Sequence, residues 1–390
     1  MRVSIACQGR FHMFDLARQM ARFGHLQRLY TGYPRFKVHG LENNTVRTFP
    51  WLMAPYMIAN RLGLGSVVRW MPSLVNSSFD RWVAARLEPC DVYHCLSASG
   101  LYSHRVARGK YGALSVCDRG STHISHQIDI VGEEFDLQGL PPPKVSQHLI
   151  DRELAEYEEC DLICVPSRVA YDSFVQQGVP EQKLRINPYG VETDLFRPLP
   201  KMDDAFRVIY VGALSLRKGV QYLLEAVAEL KLAKFETWLI GSSLPETRTI
   251  LSRYRDRFKY VGVIDRRRLS YYYSQGSVFV LASVEEGLAL VQAQAMACGL
   301  PVIATTNTGA PDLFTDGVEG FIVPIRDPEA IREKILLLYQ NPALREEMSR
   351  AALRRVSAMG GWNEYGDRAL RIYREALAGK DGAADARAAL

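Results

Sequence analysis

Short apolar runs alternate with helix-forming stretches throughout the second half of this chain of 390 residues. From residue 206 onward these runs are rich in β-branched and aromatic residues: FRVIYVG, FETWLIG, FKYVGV, SVFVLAS, PVIATT and GFIVPI. Between most of them lie stretches such as GVQYLLEAVAELKLA, with apolar residues at i, i+3 and i+4. This alternation predicts a parallel β-sheet covered by helices on both faces. Several runs end in glycine, at the edge where an open α/β sheet places its ligand crevice.

The first half of the chain repeats the alternation less regularly. Candidate strands there are RVSIAC, DVYHCLS, GALSVCD, CDLICVPS and KLRINPYG, and a Pro-rich polar stretch at 196–206 has the composition of a linker. A chain of this length is too long for one ordinary core. We therefore predict two α/β domains, at 1–195 and 196–361, then an amphipathic helix at 362–378 and a disordered tail at 379–390.

Charge and cysteine content limit the partners and the compartment. The net charge is +5, but residues 1–100 hold 12 Arg and Lys against 5 Asp and Glu, a net of +7. This surplus suits anionic lipid headgroups or anionic substrates, and it is equally typical of a solvated basic surface. The seven cysteines are scattered and form no C-x-x-C, which favours reduced thiols in the cytoplasm over disulfides or a zinc site. We expect no nucleic-acid partner.

The N-terminal apolar run is too short for a secretory signal, and no apolar stretch is long enough to span a membrane. The segment at 48–74 mixes Trp, Met and Tyr with Arg61 and Arg69. It suits peripheral contact with an anionic membrane surface, and a buried helix pair of the first domain would have the same composition. We expect a cytoplasmic protein, at the inner face of the cell membrane under the first interpretation.

The stretch EEGLALVQAQAMACGLP at 285–301 combines a turn, a helix and two polar residues suited to ligand binding. It follows the strand VFVLAS, so the backbone N–H groups and the positive end of the helix point toward the crevice and favour phosphate. Glu286 lies in the turn, and Gln294 lies two helical turns later, close enough for both to contact one extended ligand. An acid at a helix start is also common because it interacts favourably with the helix dipole.

The stretch EGLALVQAQAMACGLPVIAT resembles the nucleotide-binding signature of family 4 glycosyltransferases, which are retaining enzymes of the GT-B fold. Three further stretches are similar to motifs of the same family: YVGALSLRKGVQYLLEA, KLRINPYGVETDLFRP and TGAPDLFTDGVEGFIVPIRDP. The resemblance covers residues 160–380 well and the first 150 residues loosely. It implies two Rossmann-like domains that face each other across a cleft, with the C-terminal helix crossing back to the first domain.

The resemblance also implies roles for charged residues of the second domain. Arg217 and Lys218 would bind the donor's diphosphate and stabilise the charge that develops as its bond to the sugar breaks. Glu286 would accept hydrogen bonds from hydroxyls of the donor sugar. This way of neutralising the diphosphate needs no metal ion or other cofactor, in agreement with the absence of a D-x-D motif from the sequence.

Backbone N–H groups of Gly287 and Leu288 would approach the same donor, and Gln294 occupies the place of the family's Glu that binds the nucleotide ribose. An amide has one acceptor oxygen and two N–H donors where a carboxylate has acceptors only. Two more departures accompany it, Ala213 in place of an Arg and Ala289 in place of a Gly. We interpret the three as a re-tuned or weakened donor site, not a lost one.

Catalytic groups of the first domain are less clearly marked. All eight histidines lie between residues 12 and 148, so any catalytic imidazole belongs to this domain. Asp118 ends the strand GALSVCD and His123 follows shortly after, and the sequence leaves both as candidates for the residue that faces the donor. His94 is a weaker candidate with a structural role. The turn from Gly9 to His12 loosely resembles the family's N-terminal Gly-rich loop, which reaches both substrates.

These observations predict a glycosyltransferase that moves a sugar from a nucleotide-sugar donor, UDP- or GDP-linked, to a hydroxyl. The expected acceptor is a glycan or lipid-linked glycan of cell-envelope polysaccharide biosynthesis. The three departures also suit a non-catalytic nucleotide-sugar-binding partner of such an enzyme, and the fold also suits a sugar-nucleotide epimerase.

Overall fold

The computed structural model describes residues 1–9, 11–51, 53, 55 and 71–388, which form two α/β domains, each built on a parallel sheet. The strands of the first sheet are β1 (Val3–Cys7), β2 (Leu26–Thr31), β3 (Val46–Thr48), β4 (Val92–Leu96), β5 (Leu114–Asp118), β6 (Leu162–Val165) and β7 (Leu184–Ile186). Their order is β3-β2-β1-β4-β5-β6-β7, and every neighbouring pair is parallel. The strand order reverses between β1 and β4, so a ligand crevice is expected at their carboxyl ends.

The second sheet has the same pattern with six strands. They are β8 (Phe206–Val211), β9 (Phe235–Ile240), β10 (Lys259–Gly262), β11 (Val278–Leu281), β12 (Val302–Thr305) and β13 (Gly320–Val323). Their parallel order is β10-β9-β8-β11-β12-β13, which reverses between β8 and β11. Every residue of β8 and β11 is buried, as expected for continuous apolar runs covered on both faces.

Helices cover both sheets. Those of the first domain include Met13–Arg22, Met71–Arg86, Leu101–Tyr111, Ile124–Leu137, Gln147–Glu159 and Arg168–Gln176. Those of the second domain are Val220–Ala228, Arg248–Arg253, Leu269–Ser274, Leu290–Ala297, Ala310–Leu313, Pro328–Gln340 and Pro342–Ala358. Local chemistry sets their ends: Asp327 caps the N–H of Ala330, and Pro328 takes the first helical position, where no N–H is needed.

The last helix, Gly361–Ala388, leaves the second domain and packs on the first, so the expected crossing helix is confirmed. It lies close to Met13–Arg22, and a Cβ added at Gly366 would come 2.5 Å from the Gln19 side chain. The helix extends to Ala388, so it is longer than the 362–378 expected, and the described part of the predicted disordered tail is helical.

The cysteines, the helix lengths and the segment at 48–74 bear on the predicted compartment and membrane contact. All seven cysteines are buried and free. Within the described ranges, no helix combines the length and the hydrophobicity needed to cross a bilayer. Most of the segment predicted to contact a membrane, at 56–70, lies outside the described residues, so that hypothesis stays a prediction.

Candidate active site

A cleft of about 730 Å³ lies between the two domains, at the carboxyl ends of the sheets. The loops after β1 and β5 line it from one side, and the loops after β8 and β11 line it from the other. The side chains that line the cleft include Phe11, His12, Arg119, Ser121, Gln127, Arg217, Glu286 and Gln294. The strand order of each sheet reverses beside this cleft, and these two points are where such sheets bind ligands. Both therefore open into one cavity, as expected for a shared ligand site.

Glu286 lies in the turn between β11 and the helix Leu290–Ala297, with its carboxylate on the cleft wall. Its Oε1 accepts a hydrogen bond from the Ser283 hydroxyl at 3.3 Å and contacts the Lys218 ammonium. The Arg217 guanidinium is 3.7 Å from its Oε2. The turn thus presents an oriented, charge-compensated carboxylate, suited to accept hydrogen bonds from sugar hydroxyls.

Arg217 and Lys218 are adjacent in sequence but take different positions. Arg217 lines the cleft, and its side chain is 33% exposed, whereas that of Lys218 is 16% exposed and contacts Glu286. Burial, together with the neighbouring Arg217, lowers the pKa of Lys218 to about 7. Arg217 is therefore the cation of this pair that lies along the cleft, and Lys218 holds Glu286 in place.

Gln294 lines the same wall and is largely buried. The Tyr273 hydroxyl donates to its Oε1 at 3.2 Å, which uses one of the two lone pairs of that oxygen. The amide then offers a ligand one lone pair and two N–H donors, where a carboxylate would offer acceptors only. Gln294 can therefore still hydrogen-bond a ligand's hydroxyls, through neutral hydrogen bonds that are weaker than those of a carboxylate.

The turn around Gly287 touches the first domain as well as the cleft. A Cβ added at Gly287 would lie 2.3 Å from the carbonyl oxygen of Gly120, a backbone atom that cannot move without shifting the first domain. The Ser167 hydroxyl donates to the Gly287 carbonyl at 2.5 Å. Leu288, predicted with Gly287 as a backbone contact to the donor, buries its side chain beneath the turn. The same turn therefore shapes the binding wall and contacts the other domain.

On the first-domain side, a chain of hydrogen bonds runs from the C-terminal helix to the cleft. The Tyr373 hydroxyl is 2.5 Å from His94 Nδ1, and His94 Nε2 is 3.0 Å from Asp118 Oδ2. Asp118 Oδ1 is 2.8 Å from Nε2 of His12, which lines the cleft. An ionised carboxylate only accepts, so both histidines donate through Nε2, and Nδ1 of His12 is the nitrogen left for a ligand.

Asp118 is buried between the two imidazoles. Burial by itself would raise its pKa, but His12 and His94 hold the pKa well below its usual range. Tyr189 packs on the His12 ring with centroids 4.4 Å apart, which fixes the imidazole plane. Gly9 lies in the loop that carries Phe11 and His12. A Cβ at Gly9 would lie 2.5 Å from the Phe11 ring, so the glycine leaves room for Phe11 to lie along the cleft.

His123, the other candidate, is placed differently. Its ring packs against Tyr157 and Phe174, and its Nδ1 accepts a hydrogen bond from the N–H of Ser125 as the cap of the helix Ile124–Leu137. Burial, with Arg119 nearby, lowers its pKa to about 4. The ring is not among the side chains that line the cleft. Of the two candidates, the geometry favours Asp118, which would act through His12. The sequence had indicated His12 only as part of a loop.

Glu285 has a role that the sequence did not reveal, although it directly precedes Glu286. It is fully buried at the domain contact. Its Oε1 accepts from the hydroxyls of Ser121 and Thr122 at 2.6 and 2.7 Å, and its Oε2 accepts from Gln127 at 2.9 Å and Arg217 at 3.0 Å. Burial raises its pKa, but Arg217 and these donors outweigh burial and hold the pKa at about 2. Nothing in the local sequence indicates these partners, since most come from the other domain.

In the described residues, no group of three or more His, Cys, Asp and Glu side chains is arranged to hold a metal ion.

Comparisons with known proteins relate this arrangement to a family. Residues 205–341 match the family model described as Glycosyl transferases group 1. The D-inositol 3-phosphate glycosyltransferase 1 of Catenulispora acidiphila is 26% identical over 356 residues, which covers 82% of this chain and 83% of that protein. The putative colanic acid biosynthesis glycosyltransferase WcaL of Escherichia coli K12 is 25% identical over 249 residues, covering 60% and 59% of the two chains.

Among solved structures, Anabaena Alr3699/HepE in complex with UDP-glucose aligns over 97% of this chain and 100% of that one, with a TM-score of 0.69 and 16% identity. At 16% sequence identity, this structural similarity establishes the fold alone.

Proposed function

We propose that this chain, which has the GT-B fold and matches the Glycosyl transferases group 1 model over residues 205–341, moves a sugar from a nucleoside diphosphate donor to a hydroxyl of a glycan acceptor, with retention of anomeric configuration. The observation that carries the proposal is the cleft wall on which Arg217, Glu286 and Gln294 lie together, facing the first domain. A guanidinium suits a diphosphate, a carboxylate suits sugar hydroxyls, and an amide can bind a ribose diol.

The proposed reaction breaks the bond between the anomeric carbon and the diphosphate and forms one between that carbon and the acceptor oxygen. The acceptor's hydroxyl proton passes to the leaving diphosphate, so no additional reactant is required. Negative charge grows on the diphosphate as its bond to the sugar breaks, and we propose that Arg217, which lines the cleft, stabilises it. We propose that this guanidinium and the start of the helix Leu290–Ala297 take the place of a metal ion.

His12 supports the same reaction from the first domain. Asp118 fixes the tautomer and the orientation of its ring, and the second acceptor atom of Asp118 is held by His94. In the neutral ring, Nδ1 accepts a hydrogen bond, and we propose that it receives one from a substrate hydroxyl at the reacting sugar. Tyr373 on the crossing helix completes the support, and Trp362 near the start of the same helix lines the cleft, so the last helix contributes to the site.

UDP- and GDP-linked sugars are the donors we propose, and the UDP-glucose complex of a protein with the same fold supports the first of them. We propose as acceptor a glycan of cell-envelope polysaccharide biosynthesis, since WcaL is named for colanic acid biosynthesis.

A lipid-linked form of this acceptor would bring the protein to an anionic membrane, and the excess of +7 in residues 1–100 supports that contact. We expect the protein to co-sediment with vesicles containing anionic lipid, and raising the salt concentration to weaken the binding because exposed charges are screened. Neutral vesicles are the control. Sedimentation that is absent, or indifferent to salt and lipid charge, would contradict the proposed contact.

A thermal-shift panel with UDP, GDP, ADP, CMP, dTDP and their sugars tests the donor assignment. A ligand at about 100 times its Kd should add about 2.7 kcal/mol to the free energy of unfolding. Gln294→Glu should strengthen nucleotide binding by about 1–2 kcal/mol, because a carboxylate accepts both ribose hydroxyls and keeps the bond from Tyr273.

Gln340→Glu is the matched control, since it makes the same change at an exposed position of the second domain. Product analysis of the stabilising nucleotide sugar, with and without acceptor, then separates transfer from epimerisation. If no nucleotide shifts either the wild type or Gln294→Glu, the donor site is lost and the non-catalytic partner becomes the better interpretation.

A further inference from the structure

Two buried carboxylates connect the domains, one hydrogen-bonded to Arg217 of the cleft wall and one with no hydrogen bond to Arg217. Glu285 of the second domain accepts hydrogen bonds from Ser121, Thr122 and Gln127 of the first. Glu134 of the first domain accepts hydrogen bonds from Gln221, Tyr222 and Arg326 of the second. Both carboxylates are fully buried. Each is fully paired only while the domains are in contact, because separation would remove the donors that come from the opposite domain.

Glu285 differs from Glu134 in what it holds on its own domain. Arg217 donates through one nitrogen, Nη1, to the Glu285 carboxylate at 3.0 Å and to the Glu285 carbonyl at 3.2 Å. The Arg217 side chain also lines the cleft. A buried ion pair is electrostatically stronger than an exposed one, so domain contact strengthens this anchor and restricts the rotamers of Arg217.

The neighbouring residues make this coupling geometrically tight. Glu286 and Gly287 follow directly, and Gly287 is in backbone contact with Gly120, which adjoins Ser121. The turn that shapes the donor wall and the loop that meets it across the domains are therefore in direct contact. A shift of either loop changes the surroundings of the Glu285 carboxylate and with them the position of Arg217.

We propose that Glu285 is a positioning residue that couples contact between the two domains to the placement of the Arg217 guanidinium in the cleft. This inference rests on the proposed function, in which Arg217 stabilises the donor diphosphate. Glu285 does not touch the substrate itself. It makes full stabilisation of the leaving group conditional on the closed arrangement of the domains.

A double-mutant cycle tests the proposal. Glu285→Gln keeps the size of the side chain and an oxygen for Ser121 and Thr122, but it replaces the charge that anchors Arg217. We expect it to lower kcat by about 10- to 100-fold in the wild type and by less than about 3-fold in an Arg217→Ala background, because a residue acting through Arg217 has no further effect once Arg217 is gone. Affinity for UDP and GDP, measured by calorimetry, gives a second readout with the same expected pattern.

Two more variants separate positioning from general loss of domain contact. Thr122→Val removes one first-domain donor without touching Arg217, and its effect should also shrink in the Arg217→Ala background. Glu134→Gln weakens the connection that makes no hydrogen bond to Arg217, and its effect should be the same with or without Arg217. Equal effects of Glu285→Gln in both backgrounds would overturn the proposal and leave Glu285 as a structural contact. A wild type that neither binds nucleotide nor transfers sugar would instead overturn the proposed function, and the inference with it.

Discussion

Replacing Arg217 with alanine is expected to lower kcat by a factor on the order of 10² to 10³, the usual result of removing one group that stabilises charge in a transition state. Arg217 lines the cleft, and its guanidinium donates two hydrogen bonds to Glu285, one to the carbonyl and one to the carboxylate. Because charge on the diphosphate develops as the sugar leaves, the loss should be larger in kcat than in donor affinity. Steady-state kinetics with the donor identified by thermal shift, together with calorimetry, measure both.

Arg217→Lys and Lys231→Ala are the matched variants. The lysine keeps the charge but not the planar fork that lets a guanidinium contact Glu285 and a phosphate together, so it should recover only part of the rate. Lys231 is exposed on the same domain, and its removal lowers the net charge by the same amount as the loss of Arg217. Turnover by Arg217→Ala close to that of Lys231→Ala would show that Arg217 does not act on the leaving group.

The second large effect is expected at His12. Replacing it with alanine should lower kcat by about 10² to 10⁴, the range for groups that assist proton movement or hydrogen bonding at the reacting atoms. In the proposed function the other domain binds the nucleotide, so nucleotide affinity should change little in His12→Ala. Initial rates and nucleotide binding, measured on the same preparation, distinguish this pattern from simple loss of folded protein.

Asp118→Asn tests the support of that imidazole. The amide can present an N–H where the carboxylate only accepts, which favours the wrong tautomer of His12, so most of the rate lost in His12→Ala should be lost here too. His148→Ala, at an exposed histidine of the same domain, is the control. Equal rates in His12→Ala and His148→Ala would remove His12 from the mechanism. A slow Asp118→Asn beside a fast His12→Ala would mean that Asp118 acts through His94.

His123 shows why a sequence position near a strand end does not define a catalytic residue. Asp118 ends β5 and His123 follows it closely, and both residue types suit a cleft facing the donor. What separates them is the helix Ile124–Leu137, which begins immediately after His123 and uses its imidazole as a cap. The ring is thereby turned toward Tyr157 and Phe174, into the packing of the first domain.

Much of the second domain follows from its sequence alone. The alternation of apolar runs and amphipathic stretches is sufficient for the parallel sheet, and the turn-plus-helix after β11 brings Glu286 and Gln294 to one wall. Glu286 precedes the helix, which begins at Leu290, and Gln294 lies within it, so one short turn and the first residues of one helix determine their distance. Arg217 follows β8, which neighbours β11 in the sheet, and the rule that ligands bind at the carboxyl ends of strands is enough to place it nearby.

Only the tertiary structure decided which partners meet across the cleft. His12 and Asp118 are 106 positions apart, and Glu285 is 164 positions from Ser121. Hydrophobic periodicity specifies which face of an element is buried, but not which loop of one sheet meets which loop of another. That depends on how the two sheets pack and on where the last helix crosses. In the sequence, nothing distinguishes Glu285 from any other acidic residue in a turn. In the fold it is a buried carboxylate that holds Arg217 at the domain contact.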